Sequence, residues 1–250
     1  MTPRMDSVVR RRLLVNYRTD PAVTARLLPP PLRPQLVNGH AVAGICLIRL
    51  GQVRPWFLPA AVGLRSENAA HRIAVEWDTA DGTARGVYIP RRHSGALLTV
   101  MLGGRVFPGV HHRARFRVRE TPGDLRVAFT GTDDAVHVDV HARPVERWPA
   151  DSVFSDLNEA SEFFRQAPAG YSTTNDACCL DGLELETSVW RVRPVEVLTA
   201  RSAFFDDPSR FPPGSATLDC GLLMRDVPAM WRRLPSMPIG IPAEPAAGVR

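Results

Sequence analysis

The chain has 250 residues and a mass of 27.6 kDa, enough to bury a sizeable core as one larger β domain or two small ones. With 44% hydrophobic and 23% charged residues, its composition excludes a disordered chain. A net charge of +5 raises the question of nucleic acid, but acids are interleaved with the arginines nearly everywhere, so no nucleic-acid partner is expected.

Met1 to Arg12 carries charges with no signal-peptide core behind them, and no run approaches the ~18 apolar residues of a membrane span. A cytoplasmic protein without membrane contact is therefore expected. Asp20 is a good N-cap with Pro21 at the first helical position, which predicts a short helix to about Leu28, stopped by Pro29-Pro30-Pro31. Residues Gly39 to Leu50 read as a buried strand, and Arg54 to Pro59 as a loop whose Trp56 either lines a pocket mouth or packs across the end of the fold. A strand from about Ala70 to Asp78 meets a turn at Asp81-Gly82, with further strands near 85–90 and 96–102.

Residues Gly103 to Arg119 read as a turn feeding a strand of period two. His111, Arg113, Arg115, Arg117 and Arg119 share one face, and His112, Ala114, Phe116 and Val118 the other. Only the second face is apolar, so His112 is expected at the inner end of a buried face, either as an acid–base group or as a histidine satisfied by a backbone carbonyl. A hairpin follows over 124–130 and 135–143; its His137, Asp139 and His141 lie opposite the valines and are read as outward-facing rather than as metal ligands.

Ser155 to Gln166 reads as a helix capped by Ser155, with Tyr171 just beyond it as either a pocket or a packing residue. Strands are predicted at 183–193, 195–204 and 216–224, and a last short helix over Asp226 to Leu234. No linker divides the chain, so one domain over 1–235 is expected, with a Pro/Ala-rich tail at 236–250. Cys46, Cys178, Cys179 and Cys220 lack zinc spacing and read as free thiols. No phosphate loop or nucleophile elbow appears, which removes nucleotide hydrolysis and the common serine hydrolases from the leading candidates. The pattern as a whole is mainly β (α+β), largely antiparallel, with two or three short helices.

Gly104-Arg105 followed by Gly109-Val110-His111-His112-Arg113 resembles the Gly-Arg-Glu-x-x-x-Tyr-Pro-Lys-Lys signature of acetoacetate decarboxylases. Asn16-Tyr17-Arg18-Thr19-Asp20 through Pro31-Leu32 resembles their opening. The segments Ala160 to Phe164, Gly170-Tyr171-Ser172, Trp190-Arg191-Val192, Ser202 to Asp207 and Leu222 to Arg225 resemble an uncharacterised YqjF-like bacterial family of the same superfamily. The resemblance implies a cone-shaped β barrel with a buried pocket for a small carbonyl or carboxylate ligand, no cofactor, and a homo-oligomer.

It also places the Schiff-base lysine at His112, and this chain contains no lysine at all. Imidazole cannot replace a primary amine in condensing with a carbonyl, so the expected chemistry is of another kind: a lyase, aldolase-dehydratase or cyclase, or a non-catalytic binding protein. In the catalytic version His112 is acid or base, Glu67 its partner, placed by analogy with a decarboxylase acid, and Arg105 the oxyanion stabiliser; Glu67 also reads as a solvated strand-end carboxylate. Tyr17, Arg113, Tyr171 and Trp56 are the expected ligand-binding side chains.

Overall fold

A computed structural model of the chain describes residues 4–96, 108–132, 136–176 and 178–239. Its architecture is a single network of strands, β1 (Met5–Thr19), β2 (Arg33–Pro34), β3 (Leu36–Val37), β4 (His40–Pro55), β5 (Leu64–Thr79), β6 (Gly82–Ser94), β7 (His111–Glu120), β8 (Leu125–Gly131), β9 (His137–Pro144), β10 (Ala169–Thr173), β11 (Cys179–Thr187), β12 (Arg193–Ser202), β13 (Ala216–Met224) and β14 (Val227–Pro238). Among the described residues two short helices, α1 (Pro21–Ala25) and α2 (Leu157–Arg165), accompany it with a 3-10 turn at Ala60–Val62.

The pairings close two rings. One runs β1-β4-β5-β6-β10-β11-β14 and back to β1; the other runs β1-β13-β12-β9-β8-β7-β6-β5-β4 and back to β1. Strands β1, β4, β5 and β6 belong to both, so both of their faces are covered. That explains their near-continuous apolar runs, which would be wasteful in a sheet with one wet face. Leu13, Val15 and Tyr17 of β1 join Ala43, Ile45 and Leu47 of β4 and the valines of β8 and β9 in one core. Leu14, Cys46 and Ile48 face the other way, into a second core completed by Phe154 and by Ala160 and Phe164 of α2.

The caps act as their chemistry requires. Asp20 accepts a hydrogen bond from the Val23 amide at 2.8 Å, and α1 ends at Ala25, one turn short of the expected Leu28. At α2 the N-cap is Asp156 rather than Ser155, because the Asp156 carboxylate takes the Glu159 amide while Glu159 reaches back to Ser155, a reciprocal cap one residue later than expected.

The helix expected over 226–234 is instead strand β14, paired with β1 and β11. Val227 and Ala229 alternate inward while Pro228, which has no amide to give a helix interior, points out. The strand also continues past 235 to Pro238. Residues 97–102 of the strand expected at 96–102 and the end of the chain at 240–250 lie outside the described residues.

Candidate functional site

Inside the ring that includes β10, β11 and β14 lies a cavity of about 160 Å³. For scale, a cavity of roughly 150 Å³ accepts a guest the size of benzene. Its walls are mainly apolar, with Ile48, Leu50, Val87, Ile89, Leu183 and Leu185 among them. Into these walls project Arg12 of β1, Arg72 of β5 and Arg92 of β6, accompanied by His93, His111, Asn68 and Cys46, while Arg233 of β14, also on the wall, contacts Asp181 at 3.4 Å. No Asp or Glu lines the cavity among the described residues.

Register explains the convergence. Cys46 of β4 pairs with Ala70 of β5, which pairs with Arg92 of β6, and Arg92 pairs with His111 of β7. Arg72 lies two residues along from Ala70, hence on the same face. Arg72 is only 4% exposed; it donates to Asn16 Oδ1 and lies 4.7 Å over the Phe164 ring. Its Nε has no hydrogen-bond partner, and neither has that of Arg12, whose guanidinium sits 5.7 Å from the Trp190 ring. Arg92 donates to Ser172 Oγ at 2.6 Å.

None of the three forms an ion pair among the described residues. The carboxylate of Asp181, the acid that acts electrostatically on Arg92, is occupied by the Gly109 amide, Arg233 and Ser236. Burial therefore pushes Arg72 and Arg92 down to about 10, still cationic at neutral pH. Burial, reinforced by the Arg92 charge, holds His111 neutral by lowering it to about 3. The chemistry on offer is a mainly apolar, cationic pocket with no acid among its described lining residues.

Glu67 lies elsewhere. Its carboxylate takes Arg11 Nη2 at 2.6 Å and Arg49 Nε at 2.5 Å. Glu120 joins the same cluster through Arg49 at 3.0 Å, Arg11 at 3.4 Å and Arg225. Burial pushes Glu120 up, but the Arg225 hydrogen bond and the charges of Arg11, Arg225 and Arg49 outweigh it and hold the carboxyl below its usual range.

His112 turns toward the other ring's core, as the alternation of β7 predicts, and stacks at a tilt 5.6 Å from His93. His93 in turn lies 6.3 Å from His71, whose Nε2 meets Ser202 Oγ at 3.1 Å. His112 and Glu67 share no hydrogen bond or ion pair, so the structure does not bring together the expected acid–base couple. Tyr17 stacks on Phe205 at 4.1 Å, its buried hydroxyl without a partner, and burial with the nearby Asp206 charge raises its pKa. Tyr171 packs edge-on against Trp77 in the same core. Trp56 is 57% exposed on its loop, and Arg113 points to solvent. Arg105 lies outside the described residues.

The cavity residues had a legible signal. Arg72 interrupts the apolar run Ala69 to Val75, and Arg91-Arg92 follows Val87 to Pro90. A charge within a strand that is apolar on both faces has to be matched or used.

Comparison with known proteins agrees with this architecture. A model of DUF2071, described as an uncharacterised conserved protein, matches residues 7–217. The chain belongs to the DUF2071 family. No sequence among the curated proteins matches it. This DUF2071 chain is similar in fold to an acetoacetate decarboxylase from Legionella pneumophila (TM-score 0.62, 12% identity, 94% of this chain and 88% of that one). It is also similar to an acetoacetate decarboxylase-like enzyme from Sphingomonas wittichii RW1 (TM-score 0.60, 13% identity, 96% and 94%). A third likeness is to the enduracididine biosynthesis enzyme MppR complexed with pyruvate (TM-score 0.55, 15% identity, 95% and 90%). The fold is thus that of the acetoacetate decarboxylases, on a chain without lysine.

Proposed function

We propose that this protein takes a short carboxylic acid of the keto-acid or unsaturated-acid class into the cavity between β1, β4, β5, β6, β10, β11 and β14, without amine chemistry. The observation that carries this reading is the set of Arg12, Arg72 and Arg92, of which Arg72 is only 4% exposed, in a mainly apolar cavity with no carboxylate among its described lining residues. An uncompensated buried charge costs several kcal/mol, and a carboxylate ligand would remove that cost by forming charge-assisted hydrogen bonds. The cavity volume suits a ligand of about six heavy atoms by comparison with a benzene-sized guest. MppR, which shares the fold, is seen with pyruvate bound.

A second reading, turnover of that acid, is favoured by His93 and His111 on the same wall. With His111 held neutral, its imidazole serves as a hydrogen-bond partner or proton acceptor, while the guanidinium groups would stabilise an enolate.

Calorimetric titration with pyruvate and acetoacetate, set against their methyl esters, tests the binding reading. The acids bind, the esters do not, and Arg92→Gln weakens the acids at least tenfold. Equal binding of acid and ester, or none by either, would sink it. Loss of acetoacetate over hours in the same samples separates turnover from binding alone.

A further inference from the structure

The four cysteines differ in their surroundings. Cys220 is buried beside Asp219 and accepts from Asn16 Nδ2, and burial with that carboxylate pushes its thiol well up. Cys179 stands beside Asp176 and Asp181 and is also raised, chiefly by burial. Cys178 is exposed, and its amide is held by the Asp176 carboxylate. Cys46 alone lines the arginine cavity, where it interacts electrostatically with both Arg72 and Arg92. Pairing across Ala70 puts it one strand from Arg72 and two from Arg92, on the face that β1, β4, β5 and β6 turn to the cavity.

We infer that Cys46 is the nucleophile of this pocket, adding through Sγ to the β-carbon of an α,β-unsaturated carboxylate whose acid group the arginines hold. This rests on the carboxylate-site reading above. The other polar groups on the wall are weaker candidates. The Ser66 hydroxyl accepts from Asn68 Nδ2 at 2.8 Å, with no general base aligned on it in any contact of the described residues. A thiol is intrinsically the stronger nucleophile, and cationic neighbours favour its attack.

In the addition the S–C bond forms as the C=C π bond breaks. The electron pair moves through the α-carbon into the acyl oxygens, where Arg72 and Arg92 meet the charge, and the proton lost from sulphur is returned to the α-carbon. Nothing is oxidised or reduced, and no co-reactant is needed. The pocket thus keeps a site for covalent capture of a small acid, with sulphur in place of an amine.

The test is competitive alkylation of the intact protein with iodoacetate and with iodoacetamide, read by peptide mass mapping of all four cysteines. Each reagent forms an S–C bond and releases iodide, and only iodoacetate carries the carboxylate. Cys46 should be labelled at least tenfold faster by iodoacetate than by iodoacetamide, the reverse of the order at exposed Cys178. Excess pyruvate should protect it, Arg92→Gln should erase the preference, and acrylate should leave a mass adduct on Cys46. Cys46→Ser should form no adduct. If pyruvate binds the wild type but Cys46 shows neither preference nor adduct, the thiol role is overturned and the carboxylate site stands. If there is neither binding nor labelling, both fall.

Discussion

Arg11 and Arg12 are neighbours in sequence and opposites in the fold. They occupy adjacent positions of β1, so one faces each ring. Arg11, 1% exposed at the side chain, is met by Glu67 and Glu120 and tied into a cluster with Arg49 and Arg225. Arg12, with Arg72 and Arg92, projects into a cavity lined by no acid among the described residues. The same residue type, at adjacent positions of the same strand, is matched on one side and unmatched on the other. A matched guanidinium is part of the scaffold; an unmatched one needs a partner from outside.

The largest effect should come from breaking the matched side. Glu67→Ala leaves Arg11 with only the longer Glu120 contact and removes the closest partner of Arg49. Breaking a buried pair costs about 3–5 kcal/mol, so the urea midpoint should fall sharply while pyruvate affinity per folded molecule stays within about twofold. An unchanged midpoint with lost binding would instead place Glu67 in the ligand site.

On the unmatched side the signs reverse. Arg92→Gln removes a part-buried charge with no ion-pair partner among the described residues, so stability should hold or rise by about 1 kcal/mol. Pyruvate affinity should drop at least tenfold, about 1.4 kcal/mol. Loss of stability equal to that of Glu67→Ala would show that Arg92 is structurally paired after all and would collapse the distinction.

The buried histidines and Glu120 separate in pH. Burial lowers fully buried His71 and the cavity's His111 to about 3, far below the unfolded value of about 6.5. Between those values the unfolded chain binds more protons than the folded one, so stability is lost as pH falls from about 6.5 towards 3. The slope reaches up to about 1.4 kcal/mol per pH unit for each histidine. Glu120, held below its usual range, contributes stability that is present above about 4.5 and lost only as pH falls below that. Denaturation midpoints at pH 7, 6 and 5 should therefore decline through the histidines alone, and His71→Gln should flatten the decline. A midpoint constant from pH 7 to 5 would count against neutral buried histidines.

What could be read in the sequence follows from the same geometry. The strand content, the cap at Asp20 and the two faces of β7 are local properties, and they were legible because alternation and capping act over a few residues. The second ring was not, because nothing in β1, β4, β5 or β6 tells which apolar face meets which partner, and that is set by the return of β10 and β14. His111 illustrates the cost. Alternation assigns it to the polar face, but the parallel pairing of residues 111–113 with 92–94 delivers that end of the strand to the cavity. Glu67 matched the decarboxylase acid by order along the chain, yet side-chain company is a property of neighbouring strands.

The smallest expected effect isolates burial as the deciding variable. Arg113, like Arg12, makes no ion pair among the described residues, but it stands in water on the outer face of β7. An exposed guanidinium keeps its hydration and needs no counter-charge, so Arg113→Gln should change stability by less than about 0.5 kcal/mol. Pyruvate affinity should stay within about twofold at 0.15 M salt, where exposed charges are screened beyond roughly 8 Å. If Arg113→Gln weakened pyruvate as much as Arg92→Gln does, the protein's positive charge as a whole, rather than the three cavity arginines, would be what holds the ligand, and raising the salt would weaken wild-type binding to the same extent.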